Sequence, residues 1–227
     1  MAKHRKIFFT SDWHLGHANI IGYCGRPFSA PGELDNYGRF YDKDIAQLRV
    51  FDMNQRIIKN YNHLVRDEDV VFFLGDLGFK SLPECRKYIR SLNGIKILIM
   101  GNHDRWGITS YYNMGFTAVL EEATIRLGQE TITLAHHPRR SLSEFVRLCI
   151  LYMRKMIRKK RNFKQKIQRI KREWKTYHSP AKHWHLCGHV HEKWKVKGQN
   201  INIGVDQWDF KPVSAHEVLR IIQKRKK

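Results

Sequence analysis

The 227-residue chain carries 42 Lys and Arg against 21 Asp and Glu, a formal charge of +21 on an ordinary 42% apolar composition. That length suits one domain with a substantial core, or one domain plus an insertion. No stretch approaches the ~18 apolar residues of a membrane span, and Cys24, Cys85, Cys149 and Cys187 stand too far apart for a disulfide framework or a zinc finger.

These numbers predict a soluble protein with reduced thiols in a cytoplasmic compartment. The apolar start Ile7-Phe8-Phe9 is cut off by Asp12 and His14, well short of a signal-peptide core. A positive field of this size attracts polyanions: nucleic acid, phosphorylated substrates or an anionic membrane surface.

Taken in chain order, apolar, β-branched or aromatic runs bounded by turn residues predict strands at 6–10, 70–74, 95–100, 131–135, 184–187 and 200–205. A helix is predicted at 44–64, with Ile45, Leu48, Met53, Ile57, Ile58 and Tyr61 broadly following a 3.6 period. A shorter helix is predicted at 83–92, with Pro83 in its first position. Alternating strands and helices predict an α/β layered core, with the loops that leave the strands displaying the chemistry.

Those loops carry a coherent set of donors. Asp12 and His14 follow the first strand and can offer a carboxylate and an imidazole to one metal ion. Asp76 follows the second through Gly75, and its two oxygens suit a bridge between two cations, although a lone Asp there could also cap a helix. Asn102 can give an amide oxygen, His103 is free to act as an acid or an electrostatic clamp, and Asp104 could orient that imidazole. His136, His189 and His191 supply three further imidazoles; one of the adjacent pair His136 and His137 is a loop residue. His17 and Arg26 are candidates for contacts to substrate phosphate or for structural roles, and Asp206 either orients a ligand histidine or closes a turn.

The segment 139–182 is different in character. It holds sixteen Lys and Arg against two Glu, a net +14 of the chain's +21. Cys149, Tyr152, Met156, Phe163, Ile167, Ile170 and Trp174 recur at spacings of three, four or seven, which predicts one or two amphipathic helices. Its cationic face is either a solvated surface or a platform for nucleic acid or anionic lipid.

Taken together, Asp12-Trp13-His14, Gly75-Asp76, Gly101-Asn102-His103-Asp104, His136 and Gly188-His189-Val190-His191 occur in the order D-x-H, G-D, G-N-H-[DE], H, G-H-x-H. This pattern resembles the calcineurin-like metallophosphoesterase superfamily. The phrases around Thr10 to His17, Asn19-Ile20-Ile21, Arg26-Pro27-Phe28, Asn202 to Asp206 and Lys211 to Ser214 are similar to its small single-domain branch in bacteria and phages.

The resemblance implies an αββα sandwich forming a single domain over 1–227, with a basic helical insertion at about 139–182. It implies Asp12, His14 and His191 around one metal, Asn102, His136 and His189 around the other, and Asp76 between them. His136 is preferred to His137 as the donor because the family's lone histidine stands directly after a strand, as His136 does. The two divalent ions, Mn²⁺ foremost, with Fe, Zn, Ni or Mg as alternatives, would activate a shared water for in-line attack on a phosphomonoester or phosphodiester. His103 would then stabilise or protonate the leaving oxygen. Nucleic acid or nucleotide is the expected substrate class. A membrane-surface phosphate or pyrophosphate hydrolase and a non-catalytic nucleic-acid-binding module are the alternatives.

Overall fold

The structure is a computed structural model and describes residues 5–78, 82–139, 147, 150 and 183–226. The prediction for 139–182 falls outside the described residues except at Arg139, Arg147 and Ile150.

Two five-stranded sheets form the frame. The first has the order β10-β1-β2-β3-β4, from β1 (Ile7–Thr10), β2 (Val70–Phe73), β3 (Ile95–Ile99), β4 (Phe116–Leu120) and β10 (Val213–Ser214). Strands β1 to β4 run parallel, with Phe8 opposite Val71 and Val71 opposite Lys96, and β10 closes one edge antiparallel. The second has the order β5-β6-β7-β9-β8, from β5 (Glu122–Leu127), β6 (Glu130–Ala135), β7 (Trp184–Cys187), β8 (Val196–Lys197) and β9 (Asn200–Asn202). Here β6, β7 and β9 are parallel, and β5 and β8 are antiparallel edges.

Strands covered on both faces read as continuous apolar runs, which is why β1, β2 and β3 are so hydrophobic. Their alternate side chains enter two cores. Phe8, Val71, Phe73 and Leu98 face a helical layer, where Trp13, Tyr61 and Phe73 meet with ring centroids 5.2–5.8 Å apart. Phe9, Phe72, Leu74 and Ile99 face the second sheet and pack on Ile132, Leu134, Leu186 and Ile201. The two-sheet sandwich with a helical layer agrees with the predicted α/β class.

The helices are α1 (Asn19–Tyr23), α2 (Lys43–Leu64), α3 (Leu82–Arg90), α4 (Ile108–Met114) and, at the end of the chain, α5 (Ala215–Lys226). Asp42 caps α2 by accepting from the amides of Asp44 and Ile45, which satisfies donors that the first turn leaves open. The buried face of α2 is Val50, Met53, Asn54, Ile57 and Tyr61. Ile45 and Leu48, expected on that face, are 37% and 55% exposed. On a 3.6-residue wheel they fall opposite the Val50 to Tyr61 stripe, so burying one set exposes the other.

Strands β4 and β5 and helices α1, α4 and α5 add to the predicted elements. The predicted strand 200–205 stops at Asn202 because that side chain takes over the hydrogen bonding: its Oδ1 accepts from Gly204 N, and its Nδ2 donates to the carbonyls of His191 and Trp194. Among the described residues no helix is long and apolar enough to cross a membrane, and Cys24 and Cys187 are free thiols.

Since β1, β2 and β3 are parallel, their C-terminal ends open at one edge of the first sheet. The ends of β6, β7 and β9 do the same in the second. A bridge between Ser11 and Gly204 joins the two edges. Loops from six strands therefore converge on one place.

Candidate metal centre

Beyond β1 and β2 the chain segments stay paired as loops. Asp12 N donates to Gly75 O at 3.0 Å, His14 N to Asp76 O at 3.0 Å and Leu15 N to Leu77 O at 2.9 Å. Both Asp12 and His14 have left-handed backbones, φ +59° and +52°, and Asp76 has φ +56°. These bends, rather than continued strand alternation, turn Asp12 and His14 the same way. Trp13, between them, points into the core and donates to Thr10 Oγ1 at 2.6 Å. His189 and His191 repeat the device at φ +69° and +47°. A non-glycine residue held there costs about 1–3 kcal/mol and persists only where its surroundings enforce it. Five of the seven such residues among those described are expected ligands.

Asp76 lies at the centre. Its Oδ2 is 3.5 Å from His14 Nε2 and 3.4 Å from His136 Nε2, and its Oδ1 accepts from His103 N at 2.9 Å. Gly75, at φ +87°, makes the preceding turn in a region that disfavours any side chain. The Asp104 carboxylate accepts from the backbone amides of Asp76, Leu77 and Gly101 at 2.8–3.0 Å, so it ties two loops together. The His103 ring is half-buried at 5.7 Å from the His14 ring, at the edge of the cluster.

From the second sheet, His136 follows β6 directly. Its Nδ1 donates to Leu74 O at 2.7 Å, leaving Nε2 turned to Asn102 Oδ1 at 3.0 Å. His189 N donates to both carboxylate oxygens of Asp12 at 3.0 Å. Gly188 permits that approach, because a Cβ there would collide with Oγ of Ser11 and Oδ2 of Asp12.

The donor atoms of Asp12, His14 and His191 lie within 4.8 Å of one another, as do those of Asp12, Asp76 and His136, and those of His136, His137 and His189. Shared members make these one continuous cluster. With Asn102 against His136, all seven expected ligands are brought together. Oxygen and imidazole donors of this kind fit first-row divalent ions.

Burial raises the carboxyl of Asp12, with the neighbouring Asp76 adding to the effect. Burial opposes a charge on His136, yet Asp76 beside it outweighs that and lifts the imidazole to about 9. His189, enclosed and surrounded by other imidazoles, falls to about 3. Asp76 therefore favours positive charge at His136, whereas burial favours the neutral forms of Asp12 and His189.

His17 and Arg26 part company. The His17 ring stands 5.7 Å from His14 and 6.4 Å from Tyr23, and burial lowers it to about 4. Arg26, in contrast, is not available to a substrate phosphate. Its side chain is fully buried, with Nε and Nη2 on Asp206 at 2.8 and 3.0 Å.

His137, the alternative to His136 as a ligand in the sequence, has its ring 4.4 Å from that of His189. Its adjacency to His136 was the available signal; beyond the strand end, alternation no longer separates the two. Sequence reasoning missed Cys24, whose thiol lies within 4.8 Å of the donor atoms of His191 and Asp206.

A family model described as calcineurin-like phosphoesterase matches residues 5–196, a range that includes all seven expected ligands. An uncharacterized protein of Methanocaldococcus jannaschii is 42% identical over 105 residues, 45% of this chain and 49% of that protein. The chain thus matches about half the length of that curated relative. A protein of unknown function from Aquifex aeolicus superposes with a TM-score of 0.56 at 21% identity, covering 96% of this chain and 100% of its own, a likeness of fold. A conserved uncharacterized protein of Streptococcus pneumoniae, named a predicted phosphoesterase, has a TM-score of 0.31 at 15% identity, covering 88% of this chain and 71% of its own.

Proposed function

Because the chain belongs to the calcineurin-like phosphoesterase family, and so to the phosphoester hydrolases, we propose that it uses two divalent ions and acts on nucleotide or nucleic-acid phosphoesters. The observation that carries the dinuclear reading is the convergence of seven donors from separate strand ends into one cluster, five of them on left-handed backbones.

Asp12, His14 and His191 would hold one ion and Asn102, His136 and His189 the other, with Asp76 reaching both. When bound, such a pair supplies Lewis acidity and an activated water for in-line attack on phosphorus. The chain's own part is positional. The Leu74 carbonyl holds Nδ1–H of His136 and so presents Nε2 to the cluster. Asp104 locks the Asp76 and Gly101 turns. His103, with its backbone tied to Asp76 and its ring at the cluster's edge, would protonate or stabilise the leaving oxygen.

The substrate class rests on charge. A protein of +21 gathers polyanions, and two-thirds of the excess lies in 139–182. The test is a screen of metal-stripped protein, reloaded with Mn²⁺, Fe²⁺, Zn²⁺, Ni²⁺ or Mg²⁺, against an aryl phosphomonoester, an aryl phosphodiester, cyclic nucleotides and single-stranded RNA and DNA. The proposal expects metal-dependent turnover, with the nucleotide or nucleic-acid substrates preferred. Turnover of none of them with any metal contradicts it.

A further inference from the structure

Behind the His191 side of the cluster lies a buried ion pair that the proposed chemistry does not use. The Arg26 guanidinium forks onto Asp206 through Nε at 2.8 Å and Nη2 at 3.0 Å. Nη2 also donates to the Asp12 carbonyl at 2.7 Å, and Nη1 donates to the Trp13 carbonyl at 3.1 Å. Asp206 Oδ2 is 3.1 Å from His191 Nδ1. The two side chains are 0% and 3% exposed. One guanidinium thus grips the backbones of Asp12 and Trp13 and the carboxylate that backs His191. Asp12 and His191 are tied to it, and His14 follows the Trp13 carbonyl that it holds.

The other position is built differently. Its His136 is backed by the neutral Leu74 carbonyl at 2.7 Å. A carboxylate behind an imidazole fixes the ring and raises its basicity as a ligand more than a neutral carbonyl does.

We propose that Arg26 and Asp206 are a positioning pair that makes the Asp12–His14–His191 position the tighter of two unequal cation positions. The inference rests on the dinuclear reading above. Arginine suits the role because its rigid fork can meet a carboxylate and two carbonyls at once, whereas a lysine ammonium cannot hold that pattern.

The test is calorimetric titration of metal-stripped full-length protein with Mn²⁺ alone, with bound metal counted by elemental analysis and folding followed by circular dichroism. Wild type is expected to take up two ions with affinities at least about tenfold apart. Asp206→Asn is expected to weaken the tighter ion by about 10–100-fold, within the range for loss of an outer-shell partner, and to leave the weaker one unchanged. Arg26→Lys is expected to weaken the same ion. Since Asp206→Asn strands a buried guanidinium, the double variant Arg26→Met with Asp206→Asn is measured beside it and is expected to show the same selective loss.

Two equal affinities in wild type overturn the inference, as do variants that keep both affinities or lose both alike. In those cases the dinuclear reading stands. Wild type that binds no Mn²⁺ removes that reading, and the inference with it.

Discussion

At His103 and Gly188 single residues test the proposed chemistry. Four of the seven expected ligands are imidazoles, but His103 differs from them in holding Asp76 through its backbone while its ring stays at the edge of the cluster. His103→Ala is expected to retain both ions by elemental analysis and to lose at least about a hundredfold in kcat, the usual range for an acid–base group. Unchanged turnover in a fully loaded variant removes that role. Gly188→Ala tests the cradle around Asp12, where the added methyl would meet Ser11 and the Asp12 carboxylate. Overpacking of this kind costs about 1–3 kcal/mol, so a lowered Tm is expected together with weaker cation binding. A variant that matches wild type in both shows that the loop has room to give.

At the scale of elements, the parallel strands place the loops and the cores hold the strands. β7 carries His185 within this frame, buried and donating from Nε2 to the His137 carbonyl at 2.9 Å. Burial lowers its pKa from 6.5 to about 4. Between those values the unfolded chain binds the proton and the folded chain does not, so the neutral ring stabilises the fold above pH 6.5 and that stability is lost as the pH falls toward 4. His185→Gln is expected to flatten the decline of Tm between about pH 6.5 and pH 4; Tm curves parallel to wild type contradict the assignment.

The strands that were readable in the sequence, β1, β2, β3, β6 and β7, are those whose burial leaves an apolar run. Phe116–Leu120 and Glu122–Leu127 escaped because partly exposed strands mix polar residues into the pattern. On α2, the true stripe runs through Asn54, whose polarity hides it, while the exposed Ile45 and Leu48 imitate a core face.

At the scale of the whole molecule, the clustered donors were legible because each sits in a short local phrase after a strand. The pairing of Arg26 with Asp206 was not, because the two are 180 residues apart and only the folded chain brings them together. The same distinction separates reaction from substrate: local motifs carry the reaction, whereas the substrate class rests on the distributed charge of +21. If nucleic acid is the substrate, the affinity of single-stranded RNA should fall at least about tenfold between roughly 50 and 200 mM salt, by counterion release, and removal of 139–182 should flatten that slope. A salt-insensitive affinity contradicts the electrostatic argument.

The central claim, a phosphoesterase working through two ions held by one cluster, is tested most directly by titrating metal back into stripped protein while following turnover of an aryl phosphodiester and of an aryl phosphomonoester. The account predicts that turnover of at least one ester is absent without metal, rises as Mn²⁺ is added and levels off at two bound ions per chain. Turnover of either ester that persists in chelator, or that reaches its maximum with a single ion bound, contradicts it.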